Sequence, residues 1–329
     1  MLPHTSIWNV PRKRGLTLVQ APAGTAGGIG QHERRSAVPD VGQDREHFRW
    51  SSLLLLTPST VLLLLLFIGP LAYAFYLGFT NMELIGPRSQ HYSFTGTANI
   101  LRMMHDSSLH KSLVLTIIFL LGSAIIGQSV LGMALALLMQ PALRLVRLSV
   151  GAVIIVAWVM PEVAAALMWY AFTQSGGTLG LLLGRPDNDF LAAHPLLIVS
   201  IANLWRHVAF SMLMFSAALR NVSPDVLEAA EIEGASAWRR VVSVTLPIMR
   251  PTIVTNLLLV TIANLSSFTL IYVMTQGGPG MDTATLAIYV YLQAFSFNQL
   301  GYGTAVALLL VLLGAAFSLL FVRNARVTD

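Results

Sequence analysis

Apolar residues in this chain neither alternate nor recur as a one-sided stripe; they run together. Six such runs, at 52–79, 112–139, 146–172, 194–219, 252–275 and 302–322, each reach the roughly 20 residues a helix needs to cross a hydrocarbon core. The first is nearly unbroken from Leu53 to Phe79. Continuous rather than alternating runs speak against a membrane β-barrel. The predicted fold class is an all-α polytopic membrane protein with six transmembrane helices. Residues 51–322 form the helical domain, and 222–247 is a polar loop within it. Residues 1–50 are expected to be a basic, mostly disordered tail. Residues 323–329 are a short C-terminus.

Composition sharpens this picture. The 329 residues are 55% hydrophobic and 11% charged, against about 25% charged in a soluble domain. There is no cysteine, which removes disulfide frameworks, thiolate metal sites and cysteine nucleophiles. Ser, His and acidic residues occur, but no spacing sets a base against a nucleophile, so an intramembrane hydrolase is not supported. The net charge is +5. Its bases sit between apolar runs rather than on one soluble face, which argues for topology and lipid contact and against nucleic acid.

With the N-terminus in the cytoplasm, that side holds 15 of the 20 Lys and Arg residues. They comprise seven in the tail, then Arg144, Arg147, Arg220, Arg239, Arg240, Arg250, Arg323 and Arg326. Arg88, Arg102, Lys111 and Arg185 fall outside, and Arg206 lies within a run. The positive-inside rule therefore puts both termini in the cytoplasm. Residues 276–301 carry no Lys or Arg, as expected of an outer loop.

The loop at 222–247 carries the most information. Ser223 is placed to cap a helix, Pro224 suits its first position, and Asp225 and Glu228 face the positive end of its dipole. Gly234 and Ala235 end or bend it, and a second helical turn follows before Pro247. Leu227, Ala230, Ile232 and Trp238 give the pair an apolar side. Such a helix pair either docks in a groove of another protein or lies on the membrane; its mixed acids and bases favour the groove.

These residues resemble the coupling loop of binding-protein-dependent ABC importer permeases. Glu228-Ala229-Ala230, then Gly234, then Val244, Leu246 and Pro247 stand at that family's spacing, with Val244 where the signature has Ile. A second block, Thr275-Gln276-Gly277-Gly278-Pro279 with Tyr291, Phe295 and Gly301-Tyr302, resembles the outer loop of the first permease of sugar and glycerol-phosphate importers. Read without the family, Gly277-Gly278-Pro279 is a helix terminator and turn. The likeness covers about residues 52–322.

The resemblance implies a type I importer permease fold and a half-transporter. A second, homologous permease would pair with it. Two ATPase subunits would bind ATP and Mg, a soluble binding protein would deliver cargo, and the setting would be a bacterial cytoplasmic membrane. No cofactor is expected on this chain, and no GxxxxGK[ST] phosphate loop is present. Glu228, Ala229, Ala230, Gly234, Leu246 and Pro247 are the implied ATPase-coupling residues. Glu228 would face a basic residue of the ATPase; its alternative role is that of an ordinary solvated acid.

Polar side chains inside apolar runs mark a path for cargo. Asn203, Arg206, His207 and Phe210 share one helical face by spacing. Amide, guanidinium, imidazole and ring together suit a polyhydroxylated ligand. By likeness to maltose-type permeases the path falls on Trp158, Glu162, Asn203, Arg206, His207, Phe210 and Asn264. Glu162 and His207 depart from that family's residues. Several bland readings stand beside this one. Asn264 also reads as an interhelical hydrogen-bonding group, His207 as a packed imidazole, and Glu162 with Arg206 as a structural ion pair. A different class also remains open: an ion-gradient transporter using Glu162, Arg206 and His207 as a proton relay.

Overall fold

The structure, a computed structural model, describes residues 50–326. The expected N-terminal tail lies outside the described residues. The chain divides into two units, Met1–Pro58 and Ser59–Asp329. Of the first, residues 50–58 are described, and they are helical. The second holds the bundle, whose described residues are helical apart from loops and one isolated bridge, Thr80 to Phe94.

The elements that matter run as follows. The first half contains α1 (Leu56–Leu77), α2 (Ala98–His105), α3 (Ser107–Met139), α4 (Arg144–Val159), α5 (Glu162–Thr173) and α6 (Pro195–Leu219). The second contains α7 (Pro224–Ile232), α8 (Ala237–Ile248), α9 (Arg250–Leu265), α10 (Thr269–Thr275), α11 (Leu286–Ser296) and α12 (Leu300–Arg326). Among the described residues, four helices are each long and apolar enough to cross a membrane, and the number reaches six if each sharply bent pair counts as one span.

The outer surface is that of a membrane protein. Along α1, Leu64, Leu65, Leu66 and Phe67 are each more than half exposed. A contiguous apolar surface of this size is stable against hydrocarbon or another apolar protein face.

Two expected spans are not continuous. The run at 146–172 breaks at Met160–Pro161, and α4 and α5 meet at 104°. Pro161 has no N–H to donate, and its ring forces Met160 into an extended conformation (ψ 134°). The run at 252–275 breaks after Leu265. There the Ser266 hydroxyl turns back to the carbonyls of Ile262 and Ala263 (3.4 and 3.3 Å), a local competitor of the helix ladder. A third bend, of 72°, separates α8 from α9, with Pro247 near the end of α8 and Pro251 at the start of α9. The expected outer loop at 276–301 is instead well folded. It holds α11, whose Ile288 and Tyr289 are fully buried. Its 11 residues span about 16 Å, half a bilayer core.

Among the described residues, packing forms four apolar clusters, of which two bear on the site. One joins α5, α10, α11 and the start of α6 through Ala166, Leu270, Ile271, Ile288, Val199 and Ala202. The other, at the loop end, joins α3, the end of α6 and the α8–α9 bend through Ala136, Met212, Phe215, Leu219 and Met249. Between α3 and α6 the helices nearly touch. A Cβ on Gly132 would lie 2.5 Å from the Ser211 Cβ, so only glycine fits there.

Asp106 ties the end of the bundle remote from the loop. It caps α3 by accepting from the Ser108 and Leu109 amides (2.9 and 3.2 Å), and accepts the Tyr289 and Tyr302 hydroxyls at 2.5 Å each. Arg102 stacks 3.9 Å above the Tyr302 ring. Burial by itself raises the carboxyl pKa. The two tyrosine hydroxyls and the two amides outweigh it and hold the group below its ordinary value of 3.8.

A lowered folded-state pKa gives stability that is complete above 3.8 and is lost as pH falls through the lower folded value. Asp106→Ala should therefore reduce the melting temperature of the detergent-solubilised chain at pH 7, by a loss on the order of 1–2 kcal/mol. It should also flatten the melting-temperature profile below pH 4. An Ala variant that melts with the parent at both pH values would contradict the role of this hub.

Candidate functional site: the coupling loop and the mid-bundle polar seam

In the loop, α7 begins at Pro224 after an extended Ser223 (φ −61°, ψ 130°). Ser223 holds the cap position, but its hydroxyl makes no cap bond, contrary to the role assigned from sequence. The Pro224 ring sets the first turn instead. The helix closes on Gly234 at φ +83°. Gly234 N–H donates to the Glu231 carbonyl, and Ala235 N–H to that of Ala230 (both 2.9 Å). This left-handed closing turn is one that glycine adopts without a Cβ penalty. Ser236 then caps α8 through the Arg239 amide. A Glu231–Arg240 ion pair joins the two short helices.

The apolar side read from the sequence splits in two. Leu227 packs inward on the core around Met249 and Phe215, while Ile232 and Trp238 face out, 87% and 76% exposed. Glu228 and Ala229 are exposed and Ala230 is half-buried. Leu246 and Pro247 lie near the end of α8, just before its bend into α9. The loop is thus a preformed helix pair, anchored on one side and bare on the other.

Midway along the bundle, the two breaks and the polar residues of α6 form a seam. A cavity of about 180 Å³ there is lined by Glu162, His207, Asn264, Ser266, Ser267 and Thr269, among others. It brings together three of the seven predicted path residues, but not Trp158, Asn203, Arg206 or Phe210. Trp158 and Phe210 pair with each other, ring centroids 6.3 Å apart.

Asn203 is wholly buried. Its amide donates to the Asn264 side-chain oxygen (2.6 Å) and to Ser123 Oγ (2.7 Å). Asn264 also accepts from Gln128 (3.2 Å) and donates to the Val260 carbonyl (2.7 Å). Three helices are thereby joined by side-chain amides. Sequence reading singled out two of these groups and passed over Ser123 and Gln128. Gln128 was detectable by the same sign, a carboxamide inside an apolar run.

Glu162 and Arg206 form no ion pair among the described residues. Arg206 Nη1 donates to His207 Nε2 (2.7 Å), and Nη2 donates to the Met160 carbonyl (3.3 Å). Because arginine can only donate, His207 Nε2 is the acceptor. Its Nδ1–H therefore donates to the Asn203 carbonyl (3.0 Å). This is the neutral imidazole. Glu162 Oε1 accepts from the Leu270 amide (3.4 Å).

Apolar spans that break around a polar seam, and that carry a rigid exposed helix pair at one end, define a membrane transport subunit. Residues 128–326 match the family model described as the binding-protein-dependent transport system inner membrane component. The chain belongs to this family, and it is a multi-pass permease subunit of an ABC importer.

Relatives agree. The sulfoquinovosyl glycerol transport system permease protein SmoG of Agrobacterium fabrum is 30% identical over 295 residues, covering 85% of this chain and 92% of the relative. The trehalose/maltose transport system permease protein MalF of Thermococcus litoralis is 27% identical, covering 83% and 92%. A crystallised bacterial alginate ABC transporter, in complex with alginate pentasaccharide-bound periplasmic protein, contains a chain of the same fold. The TM-score is 0.71 at 18% identity, covering 85% of this chain and 96% of that one. The gradient-driven reading is not favoured.

Asn264→Ala would remove the side-chain acceptor of the Gln128 amide and one of the two acceptors of the Asn203 amide inside the bundle. A double-mutant cycle of Asn203→Ala and Asn264→Ala, read by thermal unfolding in detergent, should give a coupling of about 0.6–1.7 kcal/mol. Strict additivity of the two losses would show that the pair does not interact.

Proposed function

We propose that this chain forms one half of an ATP-driven import path for a sugar or a sugar-like polyol or glycerol-phosphate, with ATP hydrolysed on separate subunits. The cargo names of the relatives support the carbohydrate class. The assembly would contain a second permease, two ATPase subunits that hold ATP and Mg, and an extracytoplasmic binding protein; no cofactor belongs to this chain. Both termini and the α7–α8 loop would face the cytoplasm, in line with the charge asymmetry of the loops.

One observation carries the reading. A helix pair with the coupling signature is fixed to the bundle through Leu227, yet presents Glu228, Ile232 and Trp238 to solvent. An exposed tryptophan and isoleucine beside an acid make an anchor for a partner's groove. In this role Glu228 meets a basic residue of the ATPase. Ala229 and Ala230 permit close approach. Gly234 sets the angle between the helices, and Leu246 and Pro247 pass the motion to α9.

Cargo would cross beside the seam. His207 and Asn264 would offer polar groups from the cavity, Arg206 a guanidinium, and Trp158 with Phe210 an aromatic face for the apolar side of a sugar ring, while Glu162 would line the same cavity without gripping cargo. Asn203 would contribute from behind by fixing Asn264.

Glu228→Lys should weaken ATPase docking by about 2–5 kcal/mol, the cost of breaking a buried interfacial charge pair. The test is ATP-dependent uptake of trehalose or maltose by proteoliposomes containing the assembled complex. Uptake should fall to background while the variant still inserts. Full uptake by the Lys variant would contradict the coupling role.

A further inference from the structure

The two helix breaks leave backbone groups without partners in a layer where water is scarce. At the first break, Met160 is extended (ψ 134°), which turns its carbonyl out of the helical ladder, and the next helix restarts with Ala165 N–H donating to the Pro161 carbonyl. At the second, α10 starts anew at Thr269, so the Leu270 amide falls in a first turn and has no acceptor within its own helix. Leu270 is 0% exposed. An unmet N–H there has no solvent to turn to.

Both groups are met by side chains. Arg206, from the unbroken α6, donates to the Met160 carbonyl. Glu162, the first residue of α5, accepts from Leu270. Met160 and Glu162 flank Pro161, so the two sides of a single break are stitched to two different helices. From there α5 and α10 pack together in the core around Ala166, Leu270, Ile271 and Met274. The core at the loop end, which holds Leu227 and Met249, shares no residue with it.

We infer that Glu162 is a positioning residue. Through the Leu270 amide it staples the two broken spans, so that α5 and α10 move as one body against the loop-end core during transport. The role depends on the reading of this chain as an ATP-driven permease, but the staple itself does not. What it needs is an oxygen acceptor, not a charge. Glutamine keeps that acceptor and alanine removes it. A residue acting on cargo or protons as a carboxylate would give the opposite pattern, with glutamine as damaging as alanine.

Two measurements on the full chain, in the assembled complex, separate these cases. The first is hydrogen–deuterium exchange of the segment 268–272. Glu162→Ala should speed exchange at the Leu270 amide roughly tenfold, while Glu162→Gln stays within about twofold of the parent. The second is uptake of trehalose or maltose in proteoliposomes. Glu162→Ala should cut the maximal rate roughly fivefold to tenfold and leave the half-saturating concentration unchanged, with Glu162→Gln restoring the rate.

Unchanged exchange in the Ala variant, or equal acceleration in both variants, overturns the staple. A raised half-saturating concentration with the maximal rate intact makes Glu162 a cargo contact and overturns the positioning role. If the parent complex imports neither sugar while exchange follows the expected pattern, trehalose and maltose are excluded as cargo and the staple stands.

Discussion

A helix that breaks inside hydrocarbon must close its own ends, because no water is there to do so. This one constraint organises the middle of the molecule. Pro161 and Ser266 open the third and fifth apolar runs, and each opening creates backbone groups that need partners. Arg206 and Glu162 supply them. The ionisable side chains that stand out in the sequence as functional candidates are therefore also the parts that make the broken spans tolerable. Both roles draw on the same property: a strong donor or acceptor held where the dielectric is low.

The seam that results separates two apolar cores with different neighbours. The loop-end core fixes α7 through Leu227 and the α8–α9 bend through Met249. In the proposed coupling role, a push on the exposed face of α7 would pass to α6 and α9 through this core. The Gly132–Ser211 approach makes α3 follow α6. Toward the opposite end, Asp106 gathers α3, α11 and α12 at one carboxylate. Rigid ends with a polar, broken middle suit a machine that must open alternately to either side, and such behaviour needs bistable packing between stiff parts.

Where sequence reading succeeded and failed follows from range. The helix pair of the loop was legible because its start, its left-handed stop at Gly234 and the restart at Ser236 all lie within a short stretch of chain. The path residues were legible only as types. Their spacing put Asn203, Arg206, His207 and Phe210 on one face of α6, yet Asn203 is buried and bonded to Asn264, Arg206 and His207 bond to each other, and Phe210 pairs with Trp158. The Ser223 cap was misjudged because proline at the first position makes a similar start without the hydroxyl. The folded segment at 276–301 was hidden by the absence of charge, a feature that marks an outer loop and a buried half-helix equally well.

Hydrophobic run length and local turn chemistry belong to neighbouring residues, so the sequence by itself determined that this chain lives in a membrane, that it is helical, and that it carries a coupling signature. The tertiary structure decided which polar groups meet. Asn203 finds Asn264 across 61 positions, the Leu270 amide finds Glu162 across 108, and Gln128 finds Asn264 across 136. No local pattern encodes such pairs. They are fixed when apolar faces pack and bring these buried amides and carboxylate within reach of one another.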